Sequence, residues 1–185
     1  TGARVRAIGL IPEQVVTESL VREPPVEGGL ALADPERDLA KIAVVERHLA
    51  TGRRGLGFLA GSGLRRGALA STVAHDAHNL VVVGMSDRDM AFAVERLAEI
   101  GGGIVAVEDL RVVAECPLPI AGLLSDARLP DVIAQSRACS EAGRAEPAGF
   151  RVNQALGACD PAVHARPPRA HVRGGRGGAR VPRRV

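Results

Sequence analysis

The chain has 185 residues, 46% of them apolar, with no Trp, no Tyr and three Phe, enough for one good core and short for two. No apolar run is long enough to span a bilayer, and the first residues show no charged-then-apolar signal pattern, so no membrane role is expected and the cytoplasm is the expected location. The formal charge of +3 rests on Arg166, Arg169, Arg173, Arg176, Arg180, Arg183 and Arg184; without these seven the chain stands at −4, which argues against a nucleic-acid-binding domain despite the high pI.

In chain order, residues 3–10 read as a strand, Ile11 to Gln14 as a turn, and Val15 to Leu20 as a second strand. Glu23 to Asp38 is rich in Pro, Gly and acids and reads as an exposed connection. Leu39 to His48 is a strand with charge at its far end, and Gly55 to Leu59 is a further short one. Gly61-Ser62-Gly63 is a flexible turn. Ala68 to Ala74 then leads into His75-Asp76-Ala77-His78-Asn79. The Val-rich run Leu80 to Val83 is a buried strand. Ser86 is placed to cap a helix over about 87–100, with Asp87 and Asp89 in its first turn and Met90, Val94, Leu97 and Ala98 on one face. Gly101 ends that helix. Ile104 to Val107 and Arg111 to Glu115 form a hairpin, although its turn lacks the glycine such turns favour. Pro130 suits the first turn of a helix to about Ala142.

These elements predict an α/β (mixed α+β) fold, a β-sheet with packed helices in a single domain. The domain is expected to span 1–145. Residues 146–185 are expected to form a divergent Arg/Gly/Pro-rich tail, disordered because it has no helical or strand period. Cys116, Cys139 and Cys159 are odd in number and far apart, which argues against a disulfide framework or a CxxC metal site.

One segment concentrates reactive chemistry. Ser71-Thr72-Val73-Ala74-His75-Asp76-Ala77-His78-Asn79 places two imidazoles, a carboxylate and an amide just before a buried strand. Such groups can relay protons, ligate a metal or bind a purine edge. His75, Asp76 and His78 are the catalytic candidates; Asn79 and Ser71 are candidates for substrate or cleft contacts. The plainer reading is that these side chains only satisfy backbone groups in a loop. As a metal site the segment is incomplete, since His-x-x-His matches neither HxH nor HExxH. Gly101-Gly102-Gly103 follows a helix instead of opening one, so it is read as helix termination and close backbone packing. Glu46-Arg47-His48 is either a solvated strand end or a set of charges at a domain interface.

Six ordered blocks carry a resemblance. They are Lys41–His48 (KIAVVERH), Gly63–Ala68 (GLRRGA), Ser71–Asn79, Asp87–Ala91 (DRDMA), Glu99–Gly103 (EIGGG) and Leu118–Leu123 (LPIAGL). Together, over roughly residues 5–145, the sequence resembles the C-terminal domain of bacterial and archaeal adenine deaminases. That resemblance implies hydrolysis of adenine to hypoxanthine and ammonia by an intact enzyme of the amidohydrolase superfamily. It implies an amidohydrolase barrel, as partner domain, that holds a divalent centre of manganese or iron whose ligands are not in this chain. It implies that the chain alone is inactive, and that His75, Asp76, His78 and Asn79 face the barrel mouth. Ala77 departs from the serine common in relatives, and Asp109-Leu110 from the usual Asp-Gly turn. Relatives continue into an apolar segment where this chain carries its Arg-Gly-Pro-Ala tail. An out-of-frame reading of a GC-rich gene from near residues 145–161 is one explanation, which the nucleotide sequence decides. Two other readings stand beside this one: a stand-alone purine- or partner-binding module, and, far behind, a basic-tailed protein contacting nucleic acid through 161–185. The sequence leaves a homo-oligomer open.

Overall fold

The computed structural model describes residues 3–12, 14, 16–75 and 77–142. Ten strands and two helices are defined among them: β1 (Val5–Leu10), β2 (Thr17–Arg22), β3 (Val26–Glu27), β4 (Leu30–Ala31), β5 (Leu39–Val45), β6 (Arg54–Ala60), β7 (Ala68–Ser71), β8 (Leu80–Gly84), α1 (Asp87–Glu99), β9 (Gly103–Glu108), β10 (Arg111–Pro117) and α2 (Leu129–Ala142). Eight strands form one sheet in the order β10-β9-β7-β8-β5-β6-β1-β2. Every pairing in it is antiparallel except β1 with β6. The expected α/β class, a sheet with packed helices in one domain, is what the chain forms. The expected tail at 146–185 and Cys159 lie outside the described residues.

β8 shows why the sheet is covered on both faces. All five of its residues are buried. Val81 and Val83 join Ile42, Leu59 and Leu69 on one face, while Leu80 and Val82 join Val105, Met90 and Leu97 on the other. That second face carries α1, which buries Met90, Ala93 and Leu97, a spacing of three and four that keeps one stripe against the sheet. Burying Met90 and Leu97 contributes about 1.5–3 kcal/mol each. The sequence reading placed Ala98 on this stripe; Ala98 is exposed and Ala93 takes the position. α2 packs on the opposite face at the β9–β10 edge, where Cys139 and Val132 meet Ile104, Ala114, Cys116 and Leu118.

The ends of α1 follow their sequence signals. Ser86 accepts a hydrogen bond from Asp89 N at 3.4 Å. At the other end Gly101 takes φ +77°, and Gly102 N bonds to Leu97 O at 2.8 Å and Gly101 N to Ala98 O at 3.4 Å, the pair of bonds that closes a Schellman stop. The β9–β10 turn holds Asp109 and Leu110 at φ +52° and +58°, as a two-residue hairpin turn requires. Without glycine this conformation needs support, and Leu110 N donates to the buried Asp89 carboxylate at 2.9 Å.

Other boundaries differ from expectation. The expected start of β2 at Val15 lies outside the described residues; β2 is defined over Thr17–Arg22 and runs past its expected end at Leu20, because its pairing with β1 continues to Arg22 opposite Val5, and Leu20, opposite Ala7, turns toward the small core of Ala7, Leu39 and Ala60. The connection 23–38 contains the β3–β4 hairpin, turned by Gly28 and Gly29 at positive φ. β5 stops at Val45, not His48, because Glu46 begins a turn.

Candidate functional site

The sheet has one end where several polar segments meet. The ladders pair Val45 with Arg54 and with Leu80, Ser71 with Val81 and with Ile104, and Pro117 with Gly103. The end of β5, the β7–β8 loop, the start of β9 and the segment after β10 therefore converge. β1 runs parallel to β6, with Ala7 opposite Phe58, so the start of β1 also lies at this end.

Glu46 makes the turn that delivers two basic side chains here. Its carboxylate accepts from His48 N (2.6 Å), Leu49 N (2.7 Å), Thr51 N (3.0 Å) and Thr51 Oγ1 (2.8 Å). These donors, the Thr51 and Leu49 amides foremost, hold its pKa down at about 2. Arg47 then donates from Nε to His78 O at 2.6 Å and from Nη2 to Ala121 O at 2.8 Å. His48 Nε2 lies 2.7 Å from Ala77 O, a contact that makes Nε2 the protonated nitrogen.

Thr72 is the buried counterpart of this clamp. Its Oγ1 accepts from Gly103 N at 2.8 Å and donates to Gly122 O at 2.6 Å. Gly102 and Gly122 permit the approach: a Cβ on Gly102 would stand 2.6 Å from Gly122 Cα, and one on Gly122 would stand 3.0 Å from both Arg47 Nη1 and Thr72 Oγ1.

The sequence-predicted residues fall as follows. Ser71 is fully buried at the end of β7, and its hydroxyl accepts from Val73 N at 2.9 Å, so it shapes the loop from inside. His75 is exposed. Asp76 lies outside the described residues. The His75 and His78 rings stand 6.0 Å apart at 44°. His78 is half-buried with φ +48°, a left-handed backbone that costs a non-glycine residue on the order of 1 kcal/mol. His78 Nδ1 and the half-buried Asn79's Oδ1 are both shielded from solvent without a hydrogen-bond partner. Among the described residues no group of three or more His, Cys, Asp or Glu is placed to hold a metal ion. Cys116 and Cys139 are free and buried; burial pushes the Cys139 thiol up to about 12, far from a reactive thiolate.

The sequence leaves Arg47 and His48 as part of either a solvated strand end or a set of charges at a domain interface, and does not single out Thr72 as a site residue. The signal for the first two was a charged triplet at a strand end, which also fits a solvated terminus. Thr72 lay inside the segment singled out, but its partners lie 31 and 50 residues away.

The fold and this end of the sheet define an α/β domain that presents a braced polar loop beside the point where β1 begins. The profile of the adenine deaminase C-terminal domain matches residues 14–157, and the chain belongs to that family. It is 56% identical over 138 residues to the adenine deaminase of Oleidesulfovibrio alaskensis, an alignment covering 75% of this chain and 24% of that protein. It is 57% identical over 129 residues to adenine deaminase 2 of Carboxydothermus hydrogenoformans (70% and 23%), and 50% identical over 136 residues to the adenine deaminase of Methanothrix thermoacetophila (74% and 24%). The chain thus spans about a quarter of the length of these relatives. No helix among the described residues is long and apolar enough to cross a membrane.

Proposed function

We propose that the chain is the C-terminal portion of an adenine deaminase, which hydrolyses adenine to hypoxanthine and ammonia when this domain is joined to its barrel. In this reading the manganese or iron centre is held outside the chain, the isolated domain is inactive, and the whole enzyme is cytoplasmic. The observation that carries it is the identity of 50–57% to three proteins named adenine deaminase, each about four times longer than the aligned segment.

The loop at His75–Asn79 takes its role from topology. β1 and β8 are separated by two strands in the sheet order, so three strand spacings, about 14 Å, divide their axes. A barrel preceding β1 would join the domain at the end where His75, His78 and Asn79 stand. These residues shape the purine site from outside the metal centre. An imidazole and a carboxamide suit that task, since each offers donors or acceptors to a purine edge.

Two measurements test the reading. The purified chain, supplied with manganese or iron, leaves adenine unconverted; conversion to hypoxanthine by these 185 residues overturns the assignment to a non-catalytic domain. Adenine binding by the isolated chain would instead favour the module reading. Fused in place of the matching segment of the Oleidesulfovibrio alaskensis enzyme, the chain supports turnover, and His75→Ala with His78→Ala lowers kcat/KM by tenfold or more. Unchanged kinetics in that fusion reduce the loop to structure.

A further inference from the structure

We propose that Arg47 and His48 are positioning residues that set His78 and Asn79 in place by gripping the backbone between them. The proposal rests on the reading of the loop given above and assigns a task to two side chains that have none in it. Two consecutive side chains hold two consecutive carbonyls: His48 Nε2 is 2.7 Å from Ala77 O, and Arg47 Nε is 2.6 Å from His78 O. The same guanidinium reaches Ala121 O at 2.8 Å, so it ties the β7–β8 loop to the segment after β10.

Three features distinguish this from an incidental surface contact. His78 is held at φ +48°, a conformation that persists only where surrounding bonds enforce it. Its amide donates to Ala74 O at 2.7 Å, so its backbone is fixed on both sides. The slot for the guanidinium exists because residue 122 is glycine: a Cβ there would lie 3.0 and 3.1 Å from the two Nη atoms. Finally, the clamp holds His78 Nδ1 and Asn79 Oδ1 where neither finds a protein partner. Leaving such atoms unpaired is costly, and a braced backbone keeps them from turning away. The β5–β8 ladder, which pairs Val45 with Leu80, closes on backbone bonds alone and does not need the clamp.

Hydrogen exchange and ring-proton NMR on the full 185-residue chain test the proposal. Arg47→Gln raises exchange at Ala77, His78 and Asn79 by tenfold or more and moves the His78 ring resonances, while β8 and α1 keep their protection. His48→Ala, at an exposed position, gives the same pattern at about threefold. Arg47→Lys, which can reach one carbonyl but cannot span two, rescues in part. Unchanged exchange at 77–79 in both Arg47→Gln and His48→Ala overturns the proposal. So does an equal loss of protection throughout β8 and α1 in both variants, since the two residues would then be fold staples. In the active fusion enzyme, Arg47→Gln raises KM for adenine at least fivefold with kcat within a factor of two. Loosened exchange with unaltered kinetics leaves the clamp standing and sinks the purine-site reading of the loop.

Discussion

The two ends of the sheet are built differently. At the end where α1 starts, chain reversals are closed by turn residues, a cap and carboxylates that gather nearby donors: Ser86 caps the helix, Leu110 N reaches Asp89 across 21 residues, and Asp38 holds Ser62 and Gly63 across 24 and 25. The Lys41–Asp87 and Arg66–Glu108 ion pairs, at 2.7 and 3.0 Å, reach further along the chain. At the opposite end, side chains reach backbone carbonyls 29 to 74 residues away. The first end is held by a helix cap, turns, and carboxylates that accept from backbone N–H groups or pair with cations. The second exists only once the whole sheet is assembled, and it is the end that carries the polar loop.

The largest expected effect falls equally on both ends and shows what they share. Gly67 at φ +68° would put a Cβ 2.2 Å from Val107 O, and Gly103 at φ +137° would put one 2.1 Å from Cys116 O. In both cases the obstacle is backbone that cannot move aside. Gly67→Ala and Gly103→Ala are each expected to cost more than about 3 kcal/mol, read as a fall in denaturant midpoint. A Gly103→Ala protein with wild-type stability would show the site end to be far more plastic than the α1 end.

A smaller pair of substitutions separates the ends. Asp89→Ala strips Leu110 N of its acceptor, and Thr72→Val strips Gly103 N and Gly122 O of their partner. Thr72→Val leaves the buried Gly103 N and Gly122 O unpaired, a loss of about 1–3 kcal/mol. Asp89→Ala frees an N–H on the exposed Leu110, which water can reach, so its global cost is smaller, and the local readouts differ as well. Hydrogen exchange should rise only around the β9–β10 turn for Asp89→Ala. For Thr72→Val it should rise both in 72–79 and in 118–123, because one hydroxyl joins segments far apart in sequence. Confinement of the Thr72→Val effect to its own loop would remove the contrast.

This contrast also explains what the sequence disclosed. The α1 helix, its serine cap, its glycine stop and the buried β8 run were legible because each depends on residues a few positions apart. The polar loop was legible as a cluster for the same reason. Its bracing was not: nothing near Arg47 in the chain reveals that it meets His78 and Ala121, and Thr72 resembles an ordinary strand-end threonine until Gly103 and Gly122 arrive beside it. The Asp109-Leu110 turn lacks its usual glycine, and the buried Asp89 that supports it sits on a different element. β2 runs past its expected end at Leu20 because its ladder with β1 continues to Arg22 opposite Val5, a pairing that no local signal announces.

The smallest expected effect concerns Glu46, which joins the local and the long-range devices. Its carboxylate is organised by neighbours within five residues, yet the turn it stabilises delivers Arg47 and His48 to partners far away. Its pKa in the folded chain is about 2, below the ordinary 4.5, because backbone and hydroxyl donors favour the ionised form. A depressed folded pKa contributes stability that is fully present above the unfolded value and fades as pH falls from about 4.5 toward 2. The group is open to solvent, so the expected signature is local. Exchange at Leu49 and Thr51 should quicken over that acid range, and exchange at Ala77 and His78 should follow it. Glu46→Gln should show both already quickened at pH 6 and little further change on acidification. If the turn loosens in acid while residues 77–78 stay protected, Arg47 and His48 hold the loop without help from the turn, and the two kinds of bracing at this end are independent.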